Sequence, residues 1–236
     1  MANIIVRQIP NSITCCNLIC GCIATTFAFE GKQQWALAFI ILGAVFDFFD
    51  GMTARLLNVS SPIGKELDSL ADDVTFGVAP ATMVFTLLFQ LPYPAAAECL
   101  RGVLPYFAFI IAAFSALRLA KFNLDTRQTT SFIGLPTPAN ALFWGSLIVG
   151  GGSQLTHFEY ALPVIIALIL LSCWMLVAEI PLFALKFKQW GWKGNEVKYI
   201  FLLTCIPILA IMRLSGIAVI IVWYVILSLW RPNSGK

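Results

Sequence analysis

The chain is poor in charge. Only 11% of its 236 residues are Asp, Glu, Lys or Arg, against about 25% in a soluble domain. Its net charge of +3 is too small to suggest a nucleic-acid partner. Seven cysteines are present, but no pair of C-x-x-C units exists, which argues against a zinc site. Six of them sit inside apolar runs, where Cys acts as a small hydrophobe. Only Cys99 falls in a candidate loop, so no disulfide framework is expected. The sequence lacks a solenoid-type repeat and a low-complexity tract. Met1 to Asn11 carries one cation, and no A-x-A-like site follows the first apolar run. A cleaved secretory signal is therefore not expected.

What the chain does have is long apolar runs, which make up most of its 59% hydrophobic content. They read as membrane spans at roughly 12–30, 35–57, 64–91, 102–122, 137–156, 160–185, 197–212 and 215–231. The last two are short and could form one hairpin, and Pro207 could kink the seventh. Counting cations by loop sets Lys32, Arg101 and Arg213 on one side. Arg7, Arg55, Lys65, Arg118, Lys121, Arg127, Lys186, Lys188, Lys193, Lys198, Arg231 and Lys236 fall on the other. The positive-inside rule then puts both termini in the cytosol.

Against this background, half of the twelve acidic residues crowd into one stretch, 46–73: Asp47, Asp50, Glu66, Asp68, Asp72 and Asp73. Asp47 and Asp50 are i, i+3 on the second span; Asp68 and Asp72 are i, i+4 on the third. Asn58, Ser60, Ser61 and Pro62 are turn formers between them. An antiparallel hairpin centred on Ser60 sets Asp47 level with Asp72 and Asp50 level with Asp68. Asp47 lies about 12 Å above Arg55 at 1.5 Å per residue. Four carboxylates thus converge inside the membrane, where they must take up protons or hold cations. Hard divalent ions suit such ligands, and one or two of Mg²⁺, Mn²⁺ or Ca²⁺ fit. Two ions about 4 Å apart clamp in-line displacement at phosphorus. Gly51 and Ala54 leave open surface beside Arg55, whose planar fork can grip a phosphate. Ser61 and Gly64 open the entry to span three. Of the other acids, Asp73 points about 100° away from Asp72 and reads as structural or solvated. Glu66 reads as a first-turn acid favoured by the helix dipole, and Glu179 as a local partner near a helix end. His157, the one histidine, falls in an external turn, where no catalytic role is expected.

The pattern Asp47-x-x-Asp50-Gly51-x-x-Ala54-Arg55, eight residues, then Gly64-x-x-x-Asp68-x-x-x-Asp72 resembles the signature of the CDP-alcohol phosphatidyltransferases at all eight fixed positions. IPNSITCCNLICG, GKELDSLADDVTFGVAP, RLAKFN and FIGLPTPA together resemble the membrane-integral phosphatidylserine synthases. In that family an apolar residue usually stands at Asp73 and often Ser at Thr75. The resemblance implies an all-α polytopic membrane protein: a six-helix catalytic core at 1–185, then a transmembrane hairpin at 186–236. It implies two metal ions, Mg²⁺ or Mn²⁺ with Ca²⁺ as an inhibitory occupant. Asp47 and Asp68 would bridge them, Asp50 would hold the first, and Asp72 would hold the second and serve as general base. Asn11, Thr14, Gly51, Ala54, Arg55, Ser61 and Gly64 would line the CDP-diacylglycerol site. A homodimer in the cytoplasmic membrane is also implied.

The reaction so implied converts CDP-diacylglycerol and L-serine to phosphatidylserine and CMP. Serine brings a carboxylate and an ammonium, and Arg118 and Asn123 in RLAKFN are nominated for it. Their plainer readings are a topology cation and a helix C-cap. Lys121 and Arg127 could contact lipid phosphates, and GLPTP fixes the turn into span five. An acceptor such as glycerol phosphate or inositol phosphate is the nearest alternative. A cation or proton transporter would explain the buried acids but not Gly51, Ala54 and Arg55 beside them. A scaffolding protein would have no use for buried acids.

Overall fold

The computed structural model describes residues 4–59, 61–125, 132–182, 191 and 195–230. The side chain of Arg7 lies outside this description, as do Ser60, Arg127, Lys186, Lys188, Lys193, Arg231 and Lys236. The described chain is almost entirely helical: α1 (Ile4–Phe29), α2 (Gln33–Leu56), α3 (Pro62–Asp72), a π-helical segment (Asp73–Val78), α4 (Ala79–Gln90), α5 (Ile110–Leu124), α6 (Thr137–Leu155), α7 (Ala161–Val177), α8 (Glu196–Met212) and α9 (Gly216–Trp230). Among the described residues, five helical stretches, Gln8–Phe29, Gln33–Leu56, Pro62–Gln90, Leu104–Leu124 and Glu196–Trp230, have the length and apolar composition of a bilayer span, the last of them folded back on itself at Arg213. This is an all-α, polytopic integral membrane protein.

Local chemistry explains the hairpin between α2 and α3. Asn58 adopts φ 52°; Val59 N donates to Ala54 O and Asn58 N to Arg55 O. These two bonds form a Schellman closure, and Asn tolerates its left-handed residue. Ser61 then caps α3, its Oγ accepting from Gly64 N at 2.9 Å, and Pro62 follows at the first helical position, where a missing N–H costs nothing. Glu66, expected in the first turn, falls just past it and is exposed.

Several expected boundaries move. α1 begins at Ile4 and runs through Pro10 rather than starting near residue 12. The sixth span, expected to reach 185, ends at Val177. Pro181 disfavours helix in the residue before it, and Phe132–Ile133 pair antiparallel with Pro181–Leu182 instead. Gly134 (φ 75°) permits this docking: a Cβ there would stand 2.7 Å from Leu176 O. Pro138 opens α6, as GLPTP suggests. The fourth span begins as 3₁₀ turns at Leu104–Phe109.

The last two spans form a helical hairpin. The chain reverses at Arg213 (φ 51°), Trp223 Nε1 donates to Thr204 Oγ1 at 3.0 Å, and the rings of Phe201 and Tyr224 lie 5.8 Å apart. Each arm covers only about 22–26 Å at 1.5 Å per residue, short of a core about 30 Å thick. Ser146 of α6 anchors it, donating to Leu214 O and accepting from Ala218 N at 2.9 Å. The latter bond satisfies one orphan donor at the start of α9.

Small residues bring the helices together, as expected where lipid gives no hydrophobic drive. Ala24, Ala28, Ala36, Ala79 and Ala81 are fully buried, around Phe76, Met83 and Trp144. Thr75 of the π-helical segment is the closest junction. Its Oγ1 donates to Asn17 O at 3.0 Å. A Cβ on Gly21 would collide with Thr75 Oγ1, and one on Gly43 would lie 2.6 Å from Thr75 Cγ2 and 2.9 Å from Asn17 Oδ1. We therefore expect Gly21→Val to destabilise the protein by about 1–3 kcal/mol through overpacking. Thermal unfolding in detergent measures this, and an unchanged midpoint would refute the packing described.

Candidate active site

Three helices meet around the acids. On α2, Asp47, Asp50, Gly51 and Ala54 recur at i, i+3, i+4 and i+7 and so share a face. Asp68 and Asp72 face them from α3. Asp47, Asp50 and Asp68 each offer a carboxylate oxygen, and these oxygens all lie within 4.8 Å of one another. Asp72 stands outside this tight group, though its charge interacts with those of Asp47 and Asp68. Its Oδ1 accepts from Asn17 Nδ2 at 3.0 Å. Asp50 Oδ2 accepts from the Thr14 hydroxyl at 2.6 Å. Thr14 Oγ1 also lies 3.1 Å from Pro10 O, but its one proton goes to the shorter, charged acceptor.

The chemistry of this donor set suits a hard divalent cation. Among the described residues, Asp68 Oδ1 is buried with no hydrogen-bond partner, as is Asn17 Oδ1, and a buried polar atom without a partner is costly. Asp47, Asp50, Asp68 and Asp72 are the residues that would hold such ions. Thr14 and Asn17 orient two of those carboxylates from behind, as outer partners of a metal site do.

A cavity of about 270 Å³ opens beside the acids. α1 contributes Pro10, Asn11 and Thr14; α2 contributes Asp50, Gly51 and Ala54; Val59, Ser61, Gly64, Lys65 and Asp68 complete it. Every residue nominated for the nucleotide lines it except Arg55, which is exposed and folds back over Gly51. Arg55 makes no ion pair among the described residues. The glycines differ in meaning. A Cβ on Gly51 would meet only Arg55 Nη1, at 3.7 Å, so packing does not demand glycine there. The open surface faces the cavity.

The residues nominated for serine separate. Arg118 is buried, lies near enough to Asp72 for their charges to interact, and leaves its Nε without a partner among the described residues. Asn123 sits at the end of α5, where its Nδ2 donates to Ser69 Oγ at 2.7 Å and its carbonyl accepts from Lys65 Nζ at 2.7 Å. His157 lies at the opposite end, exposed, with Nδ1 2.7 Å from Ser153 O. Two residues that sequence reasoning passed over belong to the site. Lys65 lines the cavity, and Asn17 holds Asp72. Asn17 follows Thr14 by three residues in an apolar run, and that spacing was its signal.

A sequence model of the CDP-alcohol phosphatidyltransferase family matches residues 7–230. The chain belongs to that family. It is also similar to named CDP-diacylglycerol–serine O-phosphatidyltransferases. With the Bacillus subtilis protein it shares 42% identity over 133 residues, covering 56% of this chain and 70% of the relative. With that of Mycobacterium leprae it shares 37% over 142 residues, covering 57% and 44%. With that of Saccharomyces cerevisiae it shares 41% over 124 residues, covering 48% and 41%. The match thus spans less than half the length of the two longer relatives. The family match takes in both C-terminal helices.

Two outcomes follow from this geometry. Thr14→Val should weaken activating Mn²⁺ or Mg²⁺ by about 10–100-fold, the usual cost of losing an outer partner, read from metal titrations of activity. Gly51→Ala should unfold at the wild-type temperature yet raise the KM for the CDP-linked substrate of this family. A lowered unfolding temperature with unchanged KM would make Gly51 a packing residue.

Proposed function

We propose that this chain is a phosphatidylserine synthase: it transfers the phosphatidyl group of CDP-diacylglycerol to the hydroxyl of L-serine and releases CMP. The reading rests on one observation above all, the convergence of Asp47, Asp50 and Asp68 beside a cavity that Gly51 and Ala54 leave open. The names of the relatives support serine as acceptor. So does the cation supply near Asp72: Arg118 is buried there, whereas Lys121 is exposed and Lys65 is committed to Asn123 O. Among the described residues this leaves one buried guanidinium, which suits a monocarboxylate better than a phosphorylated acceptor, whose pocket would need to be more densely cationic; Arg127 lies outside the described residues.

Two Mg²⁺ or Mn²⁺ ions, with Ca²⁺ as an inhibitory occupant, would neutralise the diphosphate and stabilise the departing CMP. The protein's own groups do the rest. The acceptor oxygen forms a bond to the β-phosphorus, and the bond from that phosphorus to the bridging oxygen breaks, its electron pair leaving with CMP. Asp72 receives the hydroxyl proton, held in aim by Asn17. Arg55 meets a phosphate oxygen over the bare Cα of Gly51, and Asn11, Ser61 and Gly64 line the approach. Thr14 keeps Asp50 turned towards the ions. Orientation supplies much of the rate, because reaction at phosphorus gains chiefly from positioning and charge stabilisation.

The core at 1–185 would carry this chemistry, with 186–236 as an added hairpin. The basic end of the bundle, with Arg55 and Lys65, would face the cytosol, where serine is found. Both termini would lie on that side, in the cytoplasmic membrane, and two chains would form a homodimer.

CMP release from CDP-diacylglycerol with L-serine and Mg²⁺ or Mn²⁺ tests the proposal. Wild type should release CMP in a serine-dependent way. Asp72→Asn should lose about 10²–10⁴-fold in rate, the range for a general base, while still folding. CMP release that ignores serine but follows glycerol phosphate or inositol phosphate would overturn the acceptor. Ion flux in proteoliposomes without any CMP release would overturn the enzyme.

A further inference from the structure

One cation at the cavity takes no part in the chemistry above. Lys65 is the one cation among the described residues that lines the cavity. It precedes Asp68 by three residues and shares its face of α3. It stands about 4.5 Å nearer the turn that joins α2 to α3, at 1.5 Å per residue. Its charge has no carboxylate beside it: the ion pairs among the described residues are Lys32–Glu30 and Arg101–Glu98.

A closed ring of hydrogen bonds holds Lys65 in place. Its Nζ donates to Asn123 O at 2.7 Å. Asn123 Nδ2 donates to Ser69 Oγ at 2.7 Å, and Ser69 Oγ donates to Lys65 O at 3.3 Å. The ring ties α3 to the last turn of α5, and its bonds have local causes. Asn123 lies two residues before Asp125, the C-cap of α5. Its carbonyl is therefore one of the orphan acceptors of a helix end, where partial negative charge favours a cation. Ser69 follows Lys65 by four residues on the same face of α3. Its hydroxyl gives one proton and accepts another, which satisfies it. Asn123 thus acts through both its backbone and its amide.

The ring holds this ammonium without neutralising it. Asn123 O is an uncharged acceptor and takes one of three protons, so two remain for a ligand. Lys65 is also exposed, so a ligand can reach it. A lysine already held by the protein loses less side-chain freedom when it binds. The ligand that fits is an anion long enough to run from the acids to the cavity mouth, with several oxygens close together. We infer that Lys65 binds the diphosphate of the CDP-linked substrate at that mouth, and that Asn123 and Ser69 are positioning residues that act through it. Asn123 then serves the nucleotide side of the site rather than the acceptor amino acid. The inference rests on the CDP-diacylglycerol donor proposed above and is independent of the acceptor.

The test measures equilibrium binding of CDP-diacylglycerol to the purified full chain in detergent micelles with Mn²⁺, alongside CMP release with L-serine. Lys65→Met should weaken that binding about 10–100-fold, the loss of a hydrogen bond between charged groups, and Lys65→Arg should recover part of it. Asn123→Ala should weaken it about 2–10-fold, the loss of one neutral hydrogen bond, and leave the KM for serine unchanged. Placed on top of Lys65→Met, Asn123→Ala should cost nothing more, because residues acting through one interaction are not additive. A helix tie alone would lower the unfolding temperature without that pattern. Should Lys65→Met fail to fold, Lys65→Gln, which keeps a donor for Asn123 O and drops the charge, carries the same comparison. Wild-type affinity in the uncharged Lys65 variant would overturn the role of Lys65. An Asn123→Ala variant that raises the KM for serine, or costs as much with Lys65→Met as without it, would overturn the positioning role. A wild type that binds no CDP-diacylglycerol would overturn the reading beneath both.

Discussion

Mutual repulsion among carboxylates held inside a bilayer is the constraint around which this protein is built. Asp47, Asp50 and Asp68 bring oxygens within 4.8 Å of one another, and Asp72 stands close enough to feel their charge. In a medium that cannot screen them, such groups stay together only if cations or protons compensate. The surrounding structure holds them in place nonetheless. Ser61 and Asn58 fix the turn that joins α2 to α3, while Thr14 and Asn17 reach from α1 to grip Asp50 and Asp72. The fold thus spends its local rules on keeping a charge-dense site open at one end of an apolar bundle.

Division of labour follows the long axis. Towards the Lys32–Arg101 end the core is apolar, packed by alanines around Trp144, Phe76 and Met83. The Trp144 indole finds Ser172 Oγ at 3.2 Å, while Gln33 Oε1 and the Tyr93 hydroxyl near this end are buried without a partner among the described residues. Towards the basic end, the atoms without partners accumulate at Asp68, Asp73, Ser115 and Arg118. The π-helical segment Asp73–Val78 lies where the two regimes meet. Such segments add a residue to a helical turn and recur at functional sites. Here it seats Thr75 against the bare Cα atoms of Gly21 and Gly43 while Asp73 faces α5.

Much of this was legible in the primary structure. Carboxylates at i, i+3 and i, i+4 on two flanks of a short turn can face one another in only one way, and the small side chains beside them marked the surface that lines the cavity. The helices were readable from apolar runs, but only five helical stretches among the described residues are long and apolar enough to cross a bilayer, and hydropathy alone overran α7, where Pro181 and the docking of Gly134 end the helix. What stayed hidden depended on neighbours distant in sequence. Periodicity could not reveal the π-helical turn, so Asp73 read as structural or solvated without a choice between them; its Oδ1 is buried against α5. Nor could it show that Asn17 would meet Asp72, 55 residues away. Arg118 and Asn123 looked equivalent within RLAKFN, but five residues of helix separate a buried cation from an amide tied to Ser69, and the C-cap expected at Asn123 falls at Asp125.

The central claim is that the carboxylates of α2 and α3 jointly hold divalent metal. Electron paramagnetic resonance of Mn²⁺ added to the purified chain tests it directly. Wild type should bind Mn²⁺ as a spin-coupled pair, and Asp68→Asn, which removes a shared ligand, should abolish the coupling and most of the binding. Mn²⁺ that stays free in solution with wild type, or binds equally well to Asp68→Asn, would contradict it.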